Sequence, residues 1–175
     1  LIYPSPAHWS MKGIRGVLAQ RNLREVQGIV EKALIEYVDE RSEDPAMKYA
    51  KDILLAGGKR FRPVLGCLAY EAAGATLDDK MLRTALSAEI IHTATLVHDD
   101  IYDQAKLRRG RPTLHSQHGI AHGIISGDYL FTLGYWLGAE QGPEVIKVLA
   151  ETCIGLANGE LLQFDHIGDL GTSPE

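Results

Sequence analysis

Apolar residues recur at three- and four-residue spacing along almost the whole chain, and no stretch alternates regularly between apolar and polar positions. The first spacing keeps apolar side chains on one face of an α-helix, whereas strict alternation would indicate a β-strand. The pattern therefore predicts an all-α protein. The predicted helices cover about residues 18–38, a segment that begins at Pro45, and residues 63–74, 77–104, 117–139 and 143–166.

The predicted helix over 77–104 is the longest and suits a central element, with Thr76 and Asp79 as its capping box. A polar loop over 107–116 follows it. Because the chain has no repeat, low-complexity tract or linker, we expect a single all-α domain over residues 1–175, with residues 1–10 as a tag or leader. The other helices are too few to close around a central helix, so we expect this domain to be incomplete.

Composition narrows the classes of function. Of the 175 residues 45% are hydrophobic and 23% are charged, which is typical of a globular domain and not of a disordered or fibrous chain. The net charge of -5 gives no general attraction to nucleic acid. No apolar run approaches the roughly 18 residues of a membrane span. Cys67 and Cys153 lie far apart in apolar stretches, which is typical of reduced thiols, so we expect a cytoplasmic protein.

Three carboxylates close the long predicted helix: Asp99, Asp100 and Asp103. Asp99 and Asp103 are four positions apart and share a helix face, whereas Asp100 lies about 100° around the axis. Like charges at the negative end of a helix dipole oppose folding unless a cation neutralises them. Mg²⁺ fits this role, since it binds through one or two carboxylates and shares its other positions with water and phosphate. A solvated acidic helix end is the alternative interpretation.

Two basic segments accompany the acidic cluster, one over residues 57–63 and one over residues 107–112. Arginine forks match phosphate oxygens, lysine adds a point charge, and glycines let backbone donors approach an anion. Two basic segments beside one acidic cluster predict two bound anionic groups, one held directly and one through the metal. The cations are Lys59, Arg60, Arg62, Arg108, Arg109 and Arg111.

The segments GGKRFRP, IIHTATLVHDDIYD, LRRGRPTLH, SGDYLFT and NGELLQ follow one another in this order. Together they resemble the motifs of the trans-type (all-E) isoprenyl diphosphate synthases, especially the longer-chain group that makes geranylgeranyl to polyprenyl diphosphates. The resemblance covers about residues 45–166. It implies an isoprenoid-synthase-type helical bundle around a central cavity, of which this sequence holds the N-terminal portion. It further implies a homodimeric, Mg²⁺-dependent transferase that condenses an allylic prenyl diphosphate with isopentenyl diphosphate.

The resemblance also implies residue roles. Asp99 and Asp103 would bind Mg²⁺, with Asp100 assisting as a ligand or from behind the ligands. Arg108 would hold the allylic diphosphate and would complete the catalytic set with Asp99 and Asp103. The isopentenyl diphosphate site would comprise Gly58, Lys59, Arg62, His92 and Arg109, and Gln163 matches a polar position that faces the allylic substrate. For His92, a hydrogen-bonded core histidine is the alternative.

Helix geometry predicts the path of a prenyl tail. A tail that points away from the metal passes the positions four, five and eight before Asp99, which are Thr95, Ala94 and Ile91. Because Thr95 and Ala94 are small, the pocket should admit chains longer than farnesyl. A bulkier residue deeper down would end growth, and Ile91, Met81 and a residue of another helix are the alternatives.

The sequence departs from the family pattern in its later part, because no second aspartate-rich motif follows Asp128. Asp165 and Asp169 are four positions apart, but their context does not match the motif. A longer enzyme is the favoured explanation, and an inactive relic is a further one. The functional alternative is a half-length, non-catalytic or regulatory subunit that needs a partner carrying the second motif.

Two other functions use the same residues differently. His115, His118 and His122 could bind zinc, because His118 and His122 are spaced to share one helix face. A terpene cyclase would also use an aspartate-rich helix with Mg²⁺. A cyclase has no need for a second diphosphate site, so Lys59, Arg62 and Arg109 argue against it.

Overall fold

The computed structural model describes residues 22–171, so the predicted tag or leader and the predicted helix start at residue 18 lie outside the described residues. Within this range the chain forms seven α-helices and one short antiparallel hairpin, which confirms the all-α prediction. The elements are α1 (Leu23–Glu40), α2 (Met47–Leu54), α3 (Phe61–Ala72), α4 (Asp79–Tyr102), β1 (Leu107–Arg108), β2 (Arg111–Pro112), α5 (Leu114–His118), α6 (Ile120–Ala139) and α7 (Pro143–Asp165).

Side-chain caps set two of the helix starts. The side chain of Asn22 accepts a hydrogen bond from the backbone N–H of Glu25, and the carboxylate of Glu25 accepts one from the backbone N–H of Asn22, which satisfies two free donors at the start of α1. At α4 the cap is Asp78, which accepts from the backbone N–H of Met81 over 2.8 Å. The predicted capping pair of Thr76 and Asp79 is therefore wrong by two positions. Either site offers a short oxygen-bearing side chain, so the residue types alone do not separate them.

Two further boundaries differ from the prediction. Pro45 precedes α2 by two residues, and α3 begins at Phe61, so that Pro63 lies within its first turn. The predicted helix over 117–139 is divided at Gly119, where φ is 91°. A residue in that conformation ends an α-helix, so α5 and α6 are separate elements.

Helices α4 and α6 pack closely because α6 presents glycine to α4. A Cβ atom at Gly134 would overlap the side chain of Ile91. The hydroxyl of Ser87 donates a hydrogen bond to the carbonyl of Gly134 over 2.7 Å, which satisfies both buried groups. α1, α2 and α3 complete a core on the other sides of α4. Fully buried core residues include Val26, Val30, Leu34, Met47, Ala50, Leu54, Cys67, Ile90, Ala94, Leu130 and Leu137.

Helix α7 is different, because none of its residues is buried. Val148, Ile154, Leu161 and Leu162 are 60%, 61%, 62% and 58% exposed. Leaving so many large apolar side chains in water on one helix is typical of a surface that other polypeptide covers. In the described part of the chain, no helix is both long enough and apolar enough to cross a membrane.

Candidate active site

The acidic end of α4 divides its three aspartates between two environments. Asp99 is half-buried, Asp103 is exposed, and Asp100 is only 4% exposed. The hydroxyl of Tyr102 donates a short hydrogen bond to Oδ1 of Asp99. Burial raises the pKa of Tyr102 well above its usual value, and the carboxylates of Asp99, Glu160 and Asp103 raise it further. Tyr102 therefore lies in the negative field that the spacing of Asp99 and Asp103 predicts.

Asp100 points to a different partner. Its Oδ1 accepts a hydrogen bond from Nε of Arg108 over 2.8 Å. Burial raises the pKa of the Asp100 carboxyl, and Arg108 opposes this shift by favouring the charged form. Asp100 thus connects the end of α4 to the hairpin. In this geometry one oxygen of Asp100 is engaged by Arg108. Its expected role, as a metal ligand or behind the ligands, stays a prediction.

The hairpin presents the second basic segment at this end of α4. β1 and β2 pair Arg108 with Arg111 across a two-residue turn, in which Arg109 and Gly110 have positive φ angles of 53° and 77°. Two positive φ angles in sequence are typical of the tight turns that fit the twist of a hairpin. The hydroxyl of Thr113 donates to the carbonyl of Ala105 over 2.7 Å and closes the base of the hairpin.

The two basic segments touch, although 52 residues separate the contacting positions. Nη1 of Arg109 donates a short hydrogen bond to the carbonyl of Gly57. A Cβ atom at the next position, Gly58, would lie 2.8 Å from that same nitrogen, so a side chain there would displace the guanidinium of Arg109. Lys59 is exposed on the same loop. The structure therefore brings together Gly58 and Arg109, which the sequence assigned to one binding site.

Arg62 and His92 belong to the same cluster. Nη1 of Arg62 lies 3.1 Å from Nε2 of His92. Because a guanidinium can only donate, Nε2 must be the unprotonated ring nitrogen in this contact. Burial lowers the pKa of His92, and the charge of Arg62 lowers it further. His92 is therefore a neutral acceptor beside Arg62.

Two cavities lie on different sides of α4. The larger, of about 340 Å³, is bounded by α2, α4, the hairpin and α5, and Arg108, Arg109 and His92 contribute to its wall. The smaller, of about 310 Å³, lies between α4, α6 and α7. The smaller cavity is lined by Thr95, His98, Asp99, Tyr102, Phe131, Cys153, Leu156, Ala157 and Glu160.

The smaller cavity tests the predicted tail path. Thr95 lines it beside Asp99, as expected. Ala94 does not, because it is 0% exposed within the hydrophobic core, and Ile91 packs against Gly134 of α6. The wall of this cavity on α4 therefore includes Thr95 and does not include Ala94 or Ile91. The use of these three residues by a prenyl tail stays a prediction.

Glu160 lines the smaller cavity, although the sequence analysis did not single it out. It lines the smaller cavity with Asp99, whereas Gln163, the predicted polar residue of the same motif, is exposed and is not part of the cavity wall. The ring of Phe164 meets the ring of Tyr102 edge-on at 5.5 Å, which holds the end of α7 against the acidic end of α4. Glu160 could have been considered from the sequence, since it belongs to the motif NGELLQ and precedes Gln163 by one helical turn.

The donor set at the end of α4 fits Mg²⁺ that is shared with a substrate. Within residues 22–171, no three His, Cys, Asp or Glu side chains converge as a preformed metal site. Mg²⁺ commonly uses only one or two carboxylates and completes its shell with water and phosphate oxygens. Asp99 and Asp103 provide such a pair.

The histidines do not form a zinc site among the described residues. His118 and His122 lie on separate helices, and both pack against the ring of Tyr49, at centroid distances of 5.1 Å and 5.0 Å. His115 lies 3.2 Å from the hydroxyl of Thr113. The spacing argument for zinc assumed one continuous helix, and the break at Gly119 removes that assumption.

Comparison with known proteins decides the family. A family model described as Polyprenyl synthetase matches residues 44–173. The chain belongs to the polyprenyl synthetase family. This confirms the resemblance that the ordered motifs indicated.

Two curated members of the polyprenyl synthetase family illustrate the relationship. Heptaprenyl diphosphate synthase component 2 of Geobacillus stearothermophilus is 42% identical over 120 residues, covering 68% of this chain and 37% of that protein. Octaprenyl diphosphate synthase of Escherichia coli is 36% identical over 118 residues, covering 67% of this chain and 36% of that protein. The chain therefore spans little more than a third of the length of these relatives.

A solved structure supports the same assignment. The geranylgeranyl pyrophosphate synthetase from the archaeon Geoglobus acetivorans superposes with a TM-score of 0.79 at 28% identity. The superposition covers 87% of this chain and 51% of that one. The polyprenyl synthetase chain described here thus has the helical fold of an isoprenoid synthase, over about half of a full-length member.

Proposed function

We propose that this chain is part of a Mg²⁺-dependent trans-prenyltransferase that adds isopentenyl diphosphate to an allylic prenyl diphosphate. One observation carries the proposal: the contact between Arg109 and Gly57 brings a basic loop next to the acidic end of α4. Two groups that suit diphosphates, one acidic with a metal and one basic, then lie at the same end of one helix. Longer-chain products follow from the small side chain of Thr95 in the adjoining cavity.

Each substrate has its own residues in this proposal. Asp99 and Asp103 hold Mg²⁺ against the allylic diphosphate, and Arg108, oriented by Asp100, binds the same diphosphate directly. Lys59, Arg62, His92 and Arg109 hold isopentenyl diphosphate, and Gly58 lets its phosphate oxygens approach the loop backbone. Because His92 accepts a hydrogen bond from one nitrogen of Arg62, the remaining donors of that guanidinium stay available for phosphate.

The chemistry then needs no protein nucleophile. When bound, Mg²⁺ neutralises the negative charge that develops on the leaving diphosphate. Arg108 stabilises the same developing charge as the allylic C–O bond breaks and an allylic cation forms. The double bond of isopentenyl diphosphate attacks that cation to form the new C–C bond. A proton then leaves the neighbouring carbon for the released diphosphate, which gives a prenyl diphosphate one isoprene unit longer.

Arg62→Ala tests the second diphosphate site and distinguishes this function from a terpene cyclase. We expect the variant to weaken binding of isopentenyl diphosphate at least tenfold while the binding of the allylic diphosphate stays within about twofold. Arg24→Ala, on the exposed surface of α1, is the control and should change neither. Isothermal calorimetry with each diphosphate measures both affinities without turnover. Equal affinities for isopentenyl diphosphate in parent and variant would contradict the proposal.

A second candidate function is a subunit that needs a partner with the second aspartate-rich motif. The word "component" in the name of the Geobacillus stearothermophilus relative favours it, and a partner would cover the apolar side chains of α7 as a longer chain would. The intact mass of the native polypeptide separates the two cases. A mass corresponding to 175 residues would favour the partner-dependent subunit, and a mass near that of the full-length relatives would favour the self-sufficient enzyme.

Homodimer formation and a cytoplasmic location belong to the same proposal. Ile120, Ile124, Ile125 and Trp136 of α6 are 58%, 45%, 64% and 59% exposed and offer a second copy an apolar surface. Multi-angle light scattering of the native protein tests the dimer. Cell fractionation tests the location.

A further inference from the structure

Arg60 is the one cation of the first basic segment that turns inward. It is 4% exposed, whereas its neighbours Lys59 and Arg62 are exposed. Its guanidinium donates to the carboxylate of Glu31 over 2.7 Å and 3.2 Å, to Glu89 over 3.0 Å and to the carbonyl of Leu54 over 2.7 Å. These four hydrogen bonds join the loop to α1, α4 and the end of α2.

The backbone at Arg60 is itself unusual. Its φ of 46° and ψ of 36° place it in the left-handed region immediately before α3. A residue with a side chain rarely adopts this conformation unless surrounding contacts hold it there. Here the ion pairs hold it. The turn buries Arg60 and leaves Lys59 and Arg62, on either side, exposed.

A buried ion pair is weak evidence for stability, because desolvation offsets much of the attraction. Its effect on geometry is more specific. Glu89 lies one helical turn before His92 on α4, so the contact between Arg60 and Glu89 fixes the loop relative to the helix that carries His92. Arg62 follows Arg60 by two positions, and its Nη1 lies 3.1 Å from Nε2 of His92.

We infer that Arg60 is a positioning residue: its ion pairs with Glu31 and Glu89 hold the loop of Gly57–Lys59 and Arg62 in the geometry that binds isopentenyl diphosphate. This inference rests on the proposed function of that site. The guanidinium of Arg60 is engaged by Glu31, Glu89 and the carbonyl of Leu54. It acts through Lys59 and Arg62, and it ties their placement to α1 as well as to α4.

Arg60→Lys and Glu31→Ala test the inference. Lysine retains the charge but cannot reproduce four hydrogen bonds to three partners. Glu31 is partly exposed, so its removal weakens the restraint with less risk to folding. Glu36→Ala is the matched control on the same helix, where Glu36 makes only an exposed pair with Lys32.

Steady-state kinetics of the native protein measures kcat and the KM for each diphosphate, and calorimetry measures the affinity for each diphosphate. We expect both test variants to raise KM for isopentenyl diphosphate by about tenfold, with KM for the allylic diphosphate within about twofold. A purely structural role would lower the active fraction, and hence kcat, without this selective change in KM. Glu36→Ala should match the parent in kcat and in both KM values.

The outcomes separate the inference from the function on which it rests. An unchanged KM for isopentenyl diphosphate in folded Arg60→Lys, or in Glu31→Ala if the lysine variant does not fold, overturns the role of Arg60. So does an equal loss of affinity for both substrates. A parent protein that binds no isopentenyl diphosphate and forms no product overturns the proposed function instead.

Discussion

Arg108 donates a hydrogen bond from Nε to Oδ1 of Asp100 over 2.8 Å, and the carboxylate that accepts it is almost fully buried. The middle aspartate of the motif therefore has a different task from the two beside it. In the proposed function Asp99 and Asp103 hold the cation, whereas Asp100 orients the arginine that binds the same diphosphate.

Asp100→Asn tests this division. The variant leaves the Arg108 guanidinium beside a neutral, buried amide, so we expect the free energy of unfolding to fall by about 1–2 kcal/mol. KM for the allylic diphosphate should rise about tenfold because Arg108 loses its orientation. Urea unfolding and steady-state kinetics measure the two effects. If Asp100→Asn left both quantities unchanged, the contact would have no such role.

Asp103→Asn should behave in the opposite way. Asp103 is exposed at the negative end of the α4 dipole, so neutralising it removes a repulsion and should leave stability unchanged or raise it by about 0.5 kcal/mol. Turnover should fall at least 100-fold, since a metal ligand is lost. Inorganic diphosphate with Mg²⁺ should raise the melting temperature of the parent and not that of the variant. An equal rise in both would contradict the assignment of Asp103 as a ligand.

Thr95→Tyr and Ala94→Tyr form a matched pair for the tail path. Thr95 lines the smaller cavity, so a tyrosine there should shorten the products and leave folding intact. Ala94 is fully buried in the core, so a tyrosine there should lower the free energy of unfolding by about 1–3 kcal/mol or more. Product analysis and urea unfolding distinguish them. Shortened products from a stable Ala94→Tyr, with normal products from Thr95→Tyr, would contradict this cavity wall.

His92 makes stability depend on pH in a defined direction. Its pKa is lowered in the folded protein by burial and by Arg62, with Arg109 adding to the shift and Glu89 and Asp99 opposing it. The unfolded chain therefore binds the proton more readily below about pH 6.5. The contribution of neutral His92 is present above that pH and is lost as the pH falls toward the lower folded value.

His92→Gln removes this titration while keeping an acceptor for Arg62. Between about pH 7 and pH 5, the urea midpoint of the variant should fall by less than that of the parent, because one proton-linked destabilisation is absent. All other residues are the same in the two proteins, so their contributions cancel in the comparison. Parallel pH profiles would show that His92 is not held neutral by folding.

The three- and four-residue spacing of apolar residues predicted most helices, because their apolar faces pack into the core around α4. It failed at Gly119, where a single residue with positive φ ends α5 inside an otherwise helical pattern. It also gave no sign of the hairpin, whose strands of two residues are too short to show alternation.

The parts of the site that depend on residues close together in sequence could be predicted. The parts that depend on packing between distant segments could not. The common face of Asp99 and Asp103 follows from helix geometry alone. The contacts of Arg60 with Glu31 and Glu89 join positions 29 residues apart, and no local sequence pattern predicts them. The choice of Glu160 over Gln163 depends on which face of α7 meets α4. The contact of Phe164 with Tyr102 shows which face of α7 meets α4.

The most direct test of the central claim is the transfer of labelled isopentenyl diphosphate by the native protein that contains this chain. With an allylic diphosphate and Mg²⁺, the label should appear in longer all-trans prenyl chains. Chelation of the metal, Asp99→Ala or Asp103→Ala should abolish the incorporation. Absence of Mg²⁺-dependent incorporation in the parent, or undiminished incorporation in both aspartate variants, would contradict the account.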